Sequence, residues 1–589
     1  MARTDPRKDV VIVGLGWTGS IMGMEMCEEG LEVLALERGP DRDTVPDFQY
    51  PKVADELRYG VRFEFMQRPR QSTMTIRHTT DDVALPFRRW GSFLLGDGVG
   101  GAGIHWNGVH WRPLVEELRL RSYVEENFGA DIIPEGMQLQ DWGVSYEELE
   151  PYFDRFEQVA GIAGQAGNLN GEIIEGGNPF EGPRSNDFPM PPLPTTLSNR
   201  MFAEAASSLG HRPFVQAGGN ASQAYVNPYG MQLGPCNFCG YCERYGCLNY
   251  SKSSPQTCIL DALKRKPNFQ YRTNAEVLRV ELASDGQTAT GVTWFDEEAQ
   301  EEVFQPADIV ILAAYQVHNV HLMLLSGIGQ PYDPATGEGV TGRNYSYQMM
   351  GSTSLHFEDV DFNPFVGAGA NGMAIDDFAI SQIDFAAEGF IGGSYISNSQ
   401  TNGQPIRSIS LPEGSATWGA DWKRDIARWY GHSMGVGSHG SNMSYRDTYL
   451  DLDPTYTDRH GRPLLRLTFD WKPNEIAMTQ FMRRQIEPIV EAMNPTHWSS
   501  SFKEEGASYD TTSYQTTHNV GGAVMGNDPA TSAVNRYLQS WDVHNVFVMG
   551  AGAFPQNLQY NPTGMVGGLA YWSANAIRRD YLPNPGPLV

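Results

Sequence analysis

The chain has 589 residues, a formal net charge of −27, 40% apolar residues, 63 glycines and 37 prolines. That length exceeds what one core fills and predicts at least two lobes, while the glycine and proline content suits a loop-rich α/β enzyme better than a helical bundle. The acidic balance argues against nucleic acid or an anionic membrane surface as a direct partner, and no apolar run reaches the roughly 18 residues of a membrane span.

The first segment, MARTDPRKDVVIVG, enters a strand after a short polar stretch. It leaves no room for a signal peptide, so the chain taken alone reads as cytoplasmic. Asp9 to Val13 form a short β-branched run, a buried parallel strand, and Gly14, Gly16 and Gly19 follow at once. The first glycine permits a tight turn, the second admits a pyrophosphate, and the third lets a helix pack against the strand. That helix is predicted to run to about Glu29 and stop at Gly30, with Cys27 in its core face. A second strand, LEVLALE, ends in Glu37, where an acidic side chain binds ribose hydroxyls; Arg38 beside it joins the same candidate site. The pattern predicts dinucleotide binding but does not choose between NAD and FAD.

Residues 96 to 108, GDGVGGAGIHWNG, form a second glycine-rich loop through Gly98, Gly100, Gly101 and Gly103, ending in His105, Trp106 and Asn107. Such a loop brings backbone close to a flat cofactor. Farther on, GPCNFCGYCERYGC packs Cys236, Cys239, Cys242 and Cys247 together. The spacing CxxCxxCxxxxC lacks the two separated knuckles of a zinc ribbon and is closer to runs that ligate iron and sulfide. Disulfides are the competing reading, with zinc or free thiols behind them. Phe238, Tyr241 and Tyr245 flank the loop and would shield a cluster. Residues 307 to 329 read as an apolar strand and helix. A late strand, HNVFVMG, leads into Gly550, Ala551 and Gly552, which would approach a flavin pyrophosphate or ribityl chain.

From the loop at 96 to 108 onward the chain resembles the glucose-methanol-choline (GMC) family of FAD oxidoreductases. The resemblance implies that this loop lies along the flavin. The similar loop of pyranose oxidase has a His-Trp pair, whose histidine is bonded to the flavin 8α-methyl group. His105 is similar to it, and a histidine that merely packs beside the ring is the other reading. NAEVLRV, with Val277, looks like the strand that touches the adenine. Residues 307 to 329 are similar to the second family signature, departing at Val317–His318, which are taken as structural; GRN at 342 to 344 looks like the next motif. HNVGGAVMG opens with His518, and the later NPT segment carries Asn561, with Thr563 behind it. The resemblance makes these two the catalytic pair, with Gly522 standing where threonine is common. The pairing suits alcohol oxidation: a neutral imidazole accepts the hydroxyl proton, and the amide holds the same oxygen. The bland alternative is a core histidine and a turn asparagine before Pro562. The cofactor set implied is Gly14, Gly16, Gly19, Glu37, Arg38, Gly100, Gly101, His105, Asn107, Val277, Gly550, Ala551, Asn561 and Thr563.

The expected fold is α/β: a Rossmann-like FAD-binding domain with a mixed-sheet substrate-binding domain. Residues 1–345, including the cysteine-rich loop at about 225–260, and 516–589 are assigned to the FAD domain, and 346–515 to the substrate domain. Within the family the chain is similar to flavoprotein subunits of membrane-bound sugar-acid dehydrogenases, notably in GLGWTGSIMGMEM, ALERGPDRDT, GGAGIHWNG and the cysteine loop. That likeness implies oxidation of D-gluconate to 2-keto-D-gluconate, with electrons passing through an iron-sulfur cluster, 3Fe-4S in type, to a multihaem cytochrome c membrane subunit and quinone. It also implies a heterotrimer, with a small subunit carrying the export signal, held peripherally on the periplasmic face of the inner membrane. This replaces the cytoplasmic reading. Related glucose, fructose and sorbitol dehydrogenases hold the cluster on cysteines spaced CxxxxxCxxxC. Here Cys236 and Cys242 keep the first spacing, Cys247 lies one residue farther on, Cys239 is extra and Cys258 is a weaker candidate. The alternatives are a dehydrogenase for 2-ketogluconate, sorbitol or fructose, an oxygen-using sugar oxidase without a cluster, and a non-catalytic electron-transfer subunit, against which the His/Asn pair stands. A carboxylate substrate calls for an arginine or lysine that the sequence does not single out. His432 and His439 in YGHSMGVGSHG are further pocket candidates.

Overall fold

The computed structural model describes residues 3–48, 55–88, 91–399, 404–406 and 409–588. Val10 to Ile12 carry no exposed surface, as expected of a β-branched run covered on both faces. This strand, Lys8–Val13, is followed by the helix Trp17–Glu28 and the strand Val33–Leu36. The three elements form a parallel βαβ unit. The helix stops two residues before Gly30, whose φ of 81° puts it in the left-handed region that glycine tolerates best.

Around this unit lies an eight-stranded sheet. Its main path runs Phe269–Arg272, Val33–Leu36, Lys8–Val13, Glu301–Leu312, Ala289–Asp296 and Ala275–Leu282, and both Arg3–Thr4 and Val546–Val548 also pair with Glu301–Leu312. The late strand Val546–Val548 is parallel to its neighbour, so the two ends of the chain meet in one sheet. The last long helix, Thr563–Ala576, packs on Tyr146–Ala160 and Trp17–Glu28. Gly567 and Gly568 make that close approach possible: a Cβ on either would fall 2.3 Å from the Phe156 ring or 2.5 Å from the Phe153 ring.

A second, six-stranded sheet is antiparallel throughout, in the order His497–Ser501, Met349–His356, Ser433–Gly440, Ser394–Ser399, Gly372–Ile375 and Phe214–Val215. The interval 346–515 is not closed on itself. Phe214–Val215 completes this sheet from outside it, and Pro463–Thr468 pairs with Thr75–Arg77. No helix among the described residues is long and apolar enough to cross a membrane.

Candidate active site

A cavity of about 510 Å³ is lined by residues of both sheets and of the loops between them. At its dinucleotide end, Gly14 has φ 94° and a Cβ there would lie 2.6 Å from the Ala313 carbonyl oxygen, so only glycine fits the turn. Gly14, Gly16 and Gly101 line the cavity, but Gly19 and Gly100 do not. Gly19 instead lets the helix close on the strand, since a Cβ there would meet the Gly14 oxygen at 2.1 Å. Gly100 backs onto the Gln256 side chain, and its N–H donates to the Leu15 carbonyl at 2.7 Å. The helix Trp17–Glu28 begins at Gly16 with no side-chain cap, leaving N-terminal amides for an anion.

Glu37 is buried. Its carboxylate accepts from Leu15 N at 3.0 Å and Gly39 N at 2.9 Å, and burial pushes its pKa up. The group therefore pins the glycine turn while lining the cavity. Arg38 donates to Ser72 Oγ at 3.1 Å and lies 3.3 Å from His318 Nε2. His318, expected to be structural only, stands on the cavity wall, where it also meets Gln67 Oε1 at 3.0 Å. Val277, Asn107, Gly550, Ala551 and Thr563 line the same cavity. His105 is 3% exposed and its Nε2 has no hydrogen-bond partner among the described residues, although the ring borders the cavity. Burial lowers its pKa to about 3. An orphaned ring nitrogen beside a glycine cradle fits a flat dinucleotide cofactor reaching that wall.

At the other end stand His518 and Asn561, with Asn561 Nδ2 at 3.4 Å from His518 Nε2. Gln348, which sequence reasoning missed, sets their protonation. It is fully buried, and its Nε2 faces three carbonyls, Leu558 and Gln559 at 3.1 Å and Tyr560 at 3.3 Å. Three acceptors demand the NH₂ end of the amide there, so Gln348 Oε1 must face His518 Nδ1, with which it is in contact. His518 therefore carries its proton on Nδ1, and Nε2 is the free base. Asn561 must then turn its NH₂ toward Nε2 and its Oδ1 toward Tyr395, whose hydroxyl donates at 2.8 Å. That hydroxyl proton being spent, Tyr395 accepts from His439 Nδ1 at 2.7 Å. Burial depresses His518 to about 3 and His439 to about 4, so both imidazoles are neutral.

Tyr395, Ser397 and Ser399 recur at alternate positions of one strand and line the cavity together, as the period of two requires. Gln216 joins them with an unpartnered, buried Oε1. The sequence signal for this wall was the alternation itself. Gln348 had none, because an amide acting through buried bonds has no local pattern. Of the two histidines proposed for the pocket, His439 lines it, whereas His432 is not among the lining residues.

The cysteines of the loop are all free thiols, and so are Cys27 and Cys258; the disulfide alternative is not realised. Among the described residues, the one group of three or more metal-ligand side chains within 4.8 Å of one another is Glu276, Glu297 and His460, so the four sulfurs do not form a single-ion site. They do lie close enough for their neighbours to raise the pKa of Cys236, Cys239 and Cys242, on top of burial, which pushes Cys236 to about 12 and Cys242 to about 11. Each sulfur also has a nitrogen donor: Phe238 N to Cys236 at 3.4 Å, Lys252 N to Cys247 at 3.4 Å, Asn220 Nδ2 to Cys242 at 3.7 Å, and Tyr241 N to Cys239. Cys258 is removed from this group, its Sγ lying 3.5 Å from Thr257 Oγ1 and 3.8 Å from the Ala160 carbonyl.

Two family models described as GMC oxidoreductase match residues 137–349 and 444–570. The chain is 53% identical over 585 residues to a gluconate 2-dehydrogenase flavoprotein of Pantoea cypripedii, covering 99% of this chain and 95% of that one. It is 25% identical to the fructose dehydrogenase large subunit of Gluconobacter japonicus, over 97% and 98% of the two chains. Among solved structures, a pyridoxine 4-oxidase from Mesorbium loti superposes with a TM-score of 0.57 at 15% identity, covering 97% and 99% of the two chains. That last likeness concerns the fold.

Proposed function

The chain belongs to the GMC oxidoreductase family, and from that premise we propose that it is an FAD-dependent dehydrogenase that oxidises the 2-hydroxyl of D-gluconate to 2-keto-D-gluconate. One observation carries the substrate class. The wall beside His518 and Asn561 is hydrogen-bonding, built of Tyr395, Ser397, Ser399, Gln216 and His439, as a polyhydroxylated substrate requires, and Arg38, Arg244 and Arg462 line the same cavity, where a carboxylate calls for a cation. The 53% identity to a gluconate 2-dehydrogenase flavoprotein favours gluconate among such substrates.

In this reading residues 1–345 and 516–589 hold FAD, and 346–515 carries the substrate wall, joined by Gln216 from the first segment. FAD, when bound, supplies the hydride acceptor. His518 Nε2 takes the hydroxyl proton, and Asn561 Nδ2 donates to the same oxygen, which orients the C–H bond. Tyr395 and Gln348 hold the pair in register. The cysteine loop is proposed to bind an iron-sulfur cluster through Cys236, Cys242 and Cys247, with Cys239 as a fourth ligand. Terminal ligands of a cluster stand farther apart than those of one ion, because several metal and sulfide atoms lie between them, and N–H groups aimed at sulfur stabilise the bound thiolates. Such a cluster would pass single electrons onward to a multihaem cytochrome c subunit and quinone. A small subunit with the export signal and a peripheral periplasmic location complete the proposal.

Anaerobic mixing of the purified protein with D-gluconate, 2-keto-D-gluconate, D-sorbitol and D-fructose tests the reading. Fastest flavin bleaching with D-gluconate, 2-keto-D-gluconate as product and protein-bound iron are expected. Bleaching by another polyol alone would move the substrate, and hydrogen peroxide formation at the rate of turnover would point to an oxidase. His105 is proposed to be the covalent flavin anchor. Acid precipitation should leave yellow flavin with the pellet, and with His105→Ala in the supernatant; flavin released from the unaltered protein would remove the link.

A further inference from the structure

The hydrogen-bond chain anchored on Gln348 ends at a side chain that the oxidation step does not use. His439 and Tyr395 are direct cross-strand partners in the six-stranded sheet, and the Tyr395 hydroxyl spends its one proton on Asn561 Oδ1. His439 must therefore carry its own proton on Nδ1, toward Tyr395, and its Nε2 is left as an acceptor. Reversing any member breaks the chain at Gln348, whose orientation three carbonyls dictate. The cavity thus holds two acceptor imidazoles, His518 and His439, with ring centres 6.2 Å apart and planes at 73°. The Asn561 NH₂ supplies a donor beside the first of them.

The oxidation step needs only one of these acceptors. We propose that His439 binds the hydroxyl on the carbon next to the one oxidised, so that the site selects a vicinal diol over an isolated secondary alcohol. This rests on the reading that His518 and Asn561 hold the reacting hydroxyl. Two neighbouring hydroxyls can serve both rings, each donating over about 2.8 Å to one imidazole, because the ring centres stand only 6.2 Å apart and a bent path joins them. The second bond also fixes rotation about the carbon undergoing oxidation, which a single contact leaves free. A substrate lacking the neighbouring hydroxyl leaves the His439 acceptor without its partner, and sites built to bond a hydroxyl reject the analogue without it.

The test compares kcat/KM for D-gluconate and 3-deoxy-D-gluconate in the flavin-loaded protein and in His439→Leu. The unaltered protein should prefer D-gluconate by about 10- to 100-fold. His439→Leu should lose a similar factor on D-gluconate and less than about threefold on the 3-deoxy compound, so that the preference collapses. Equal losses on both substrates would reduce His439 to a support for Tyr395 and overturn the proposal. So would an unaltered protein that shows no preference, a result independent of whether the variant folds. If D-gluconate is not oxidised, the gluconate reading falls separately, and the preference is measured between whichever polyol is oxidised and its mono-deoxy analogues; no position-specific loss there overturns the inference. If no polyol is oxidised, the inference falls together with the reading it rests on.

Discussion

His518→Ala should lower kcat by about 10²- to 10⁴-fold while FAD stays bound, because a positioned general base contributes about that much to proton removal and the proposed glycine cradle, Gly14, Gly16 and Gly101, is untouched by the change. The base is unusual in its acidity. Burial, reinforced by the neighbouring His439, lowers His518 to about 3, far below the ordinary value of about 6.5. The protonated form is the inactive one, so activity is lost only as pH falls toward the depressed value. The profile of kcat/KM should therefore be flat from about pH 8 down to about pH 5. A half-loss near pH 6.5 would show that His518 is solvated or is not the base, and unchanged turnover in the alanine variant would remove it from the mechanism.

The elements that build the dinucleotide end were legible because local rules govern them. A β-branched run, three glycines at fixed offsets and an acidic strand end each act within a few residues of their neighbours, and the observed strand, helix and strand lie within a residue or two of expectation. The surroundings of Gly100 were hidden for the complementary reason: its φ of 96° marks a turn, but the side chain it packs against is Gln256, far away in sequence. His318 escaped because it acts with Arg38 and Gln67, also distant. The pairing of His518 with Asn561 was visible through a family motif, not through spacing. What lay beyond the sequence was the wiring between them, since Gln348, between two strands, and Tyr395 and His439, on two others, meet only in the folded chain. The cysteine loop showed its thiols plainly and hid the cation beneath them.

That cation is Lys252, and its replacement by methionine should unfasten the cysteine loop from the cofactor cavity. Lys252 has no exposed surface, and its ammonium donates to the carbonyls of Trp106 at 2.8 Å, Cys242 at 2.7 Å and Tyr245 at 2.7 Å. All three protons of the group are thereby used, which is how a buried charge is tolerated at all. Trp106 follows His105 on the cavity wall, and the other two carbonyls belong to the loop of thiols, so one side chain sets the spacing between the flavin end and the sulfurs. Methionine matches the length but leaves three carbonyls unpaired, at a cost of about 1–3 kcal/mol each. A loss of roughly 3–5 kcal/mol in stability is expected, part of it recovered by local rearrangement. The iron of the proposed cluster should fall with it. Flavin reduction by D-gluconate should stay within about threefold of the unaltered rate, because Gln348, His518 and Asn561 are untouched, whereas reoxidation by a cytochrome c acceptor should slow by about 100-fold or more. Thermal melts, iron analysis and stopped-flow traces of the two half-reactions measure these separately. An unchanged melting temperature with full iron would show that Lys252 fastens nothing, and equal slowing of both half-reactions would place its effect on the cavity instead of on the path out of it.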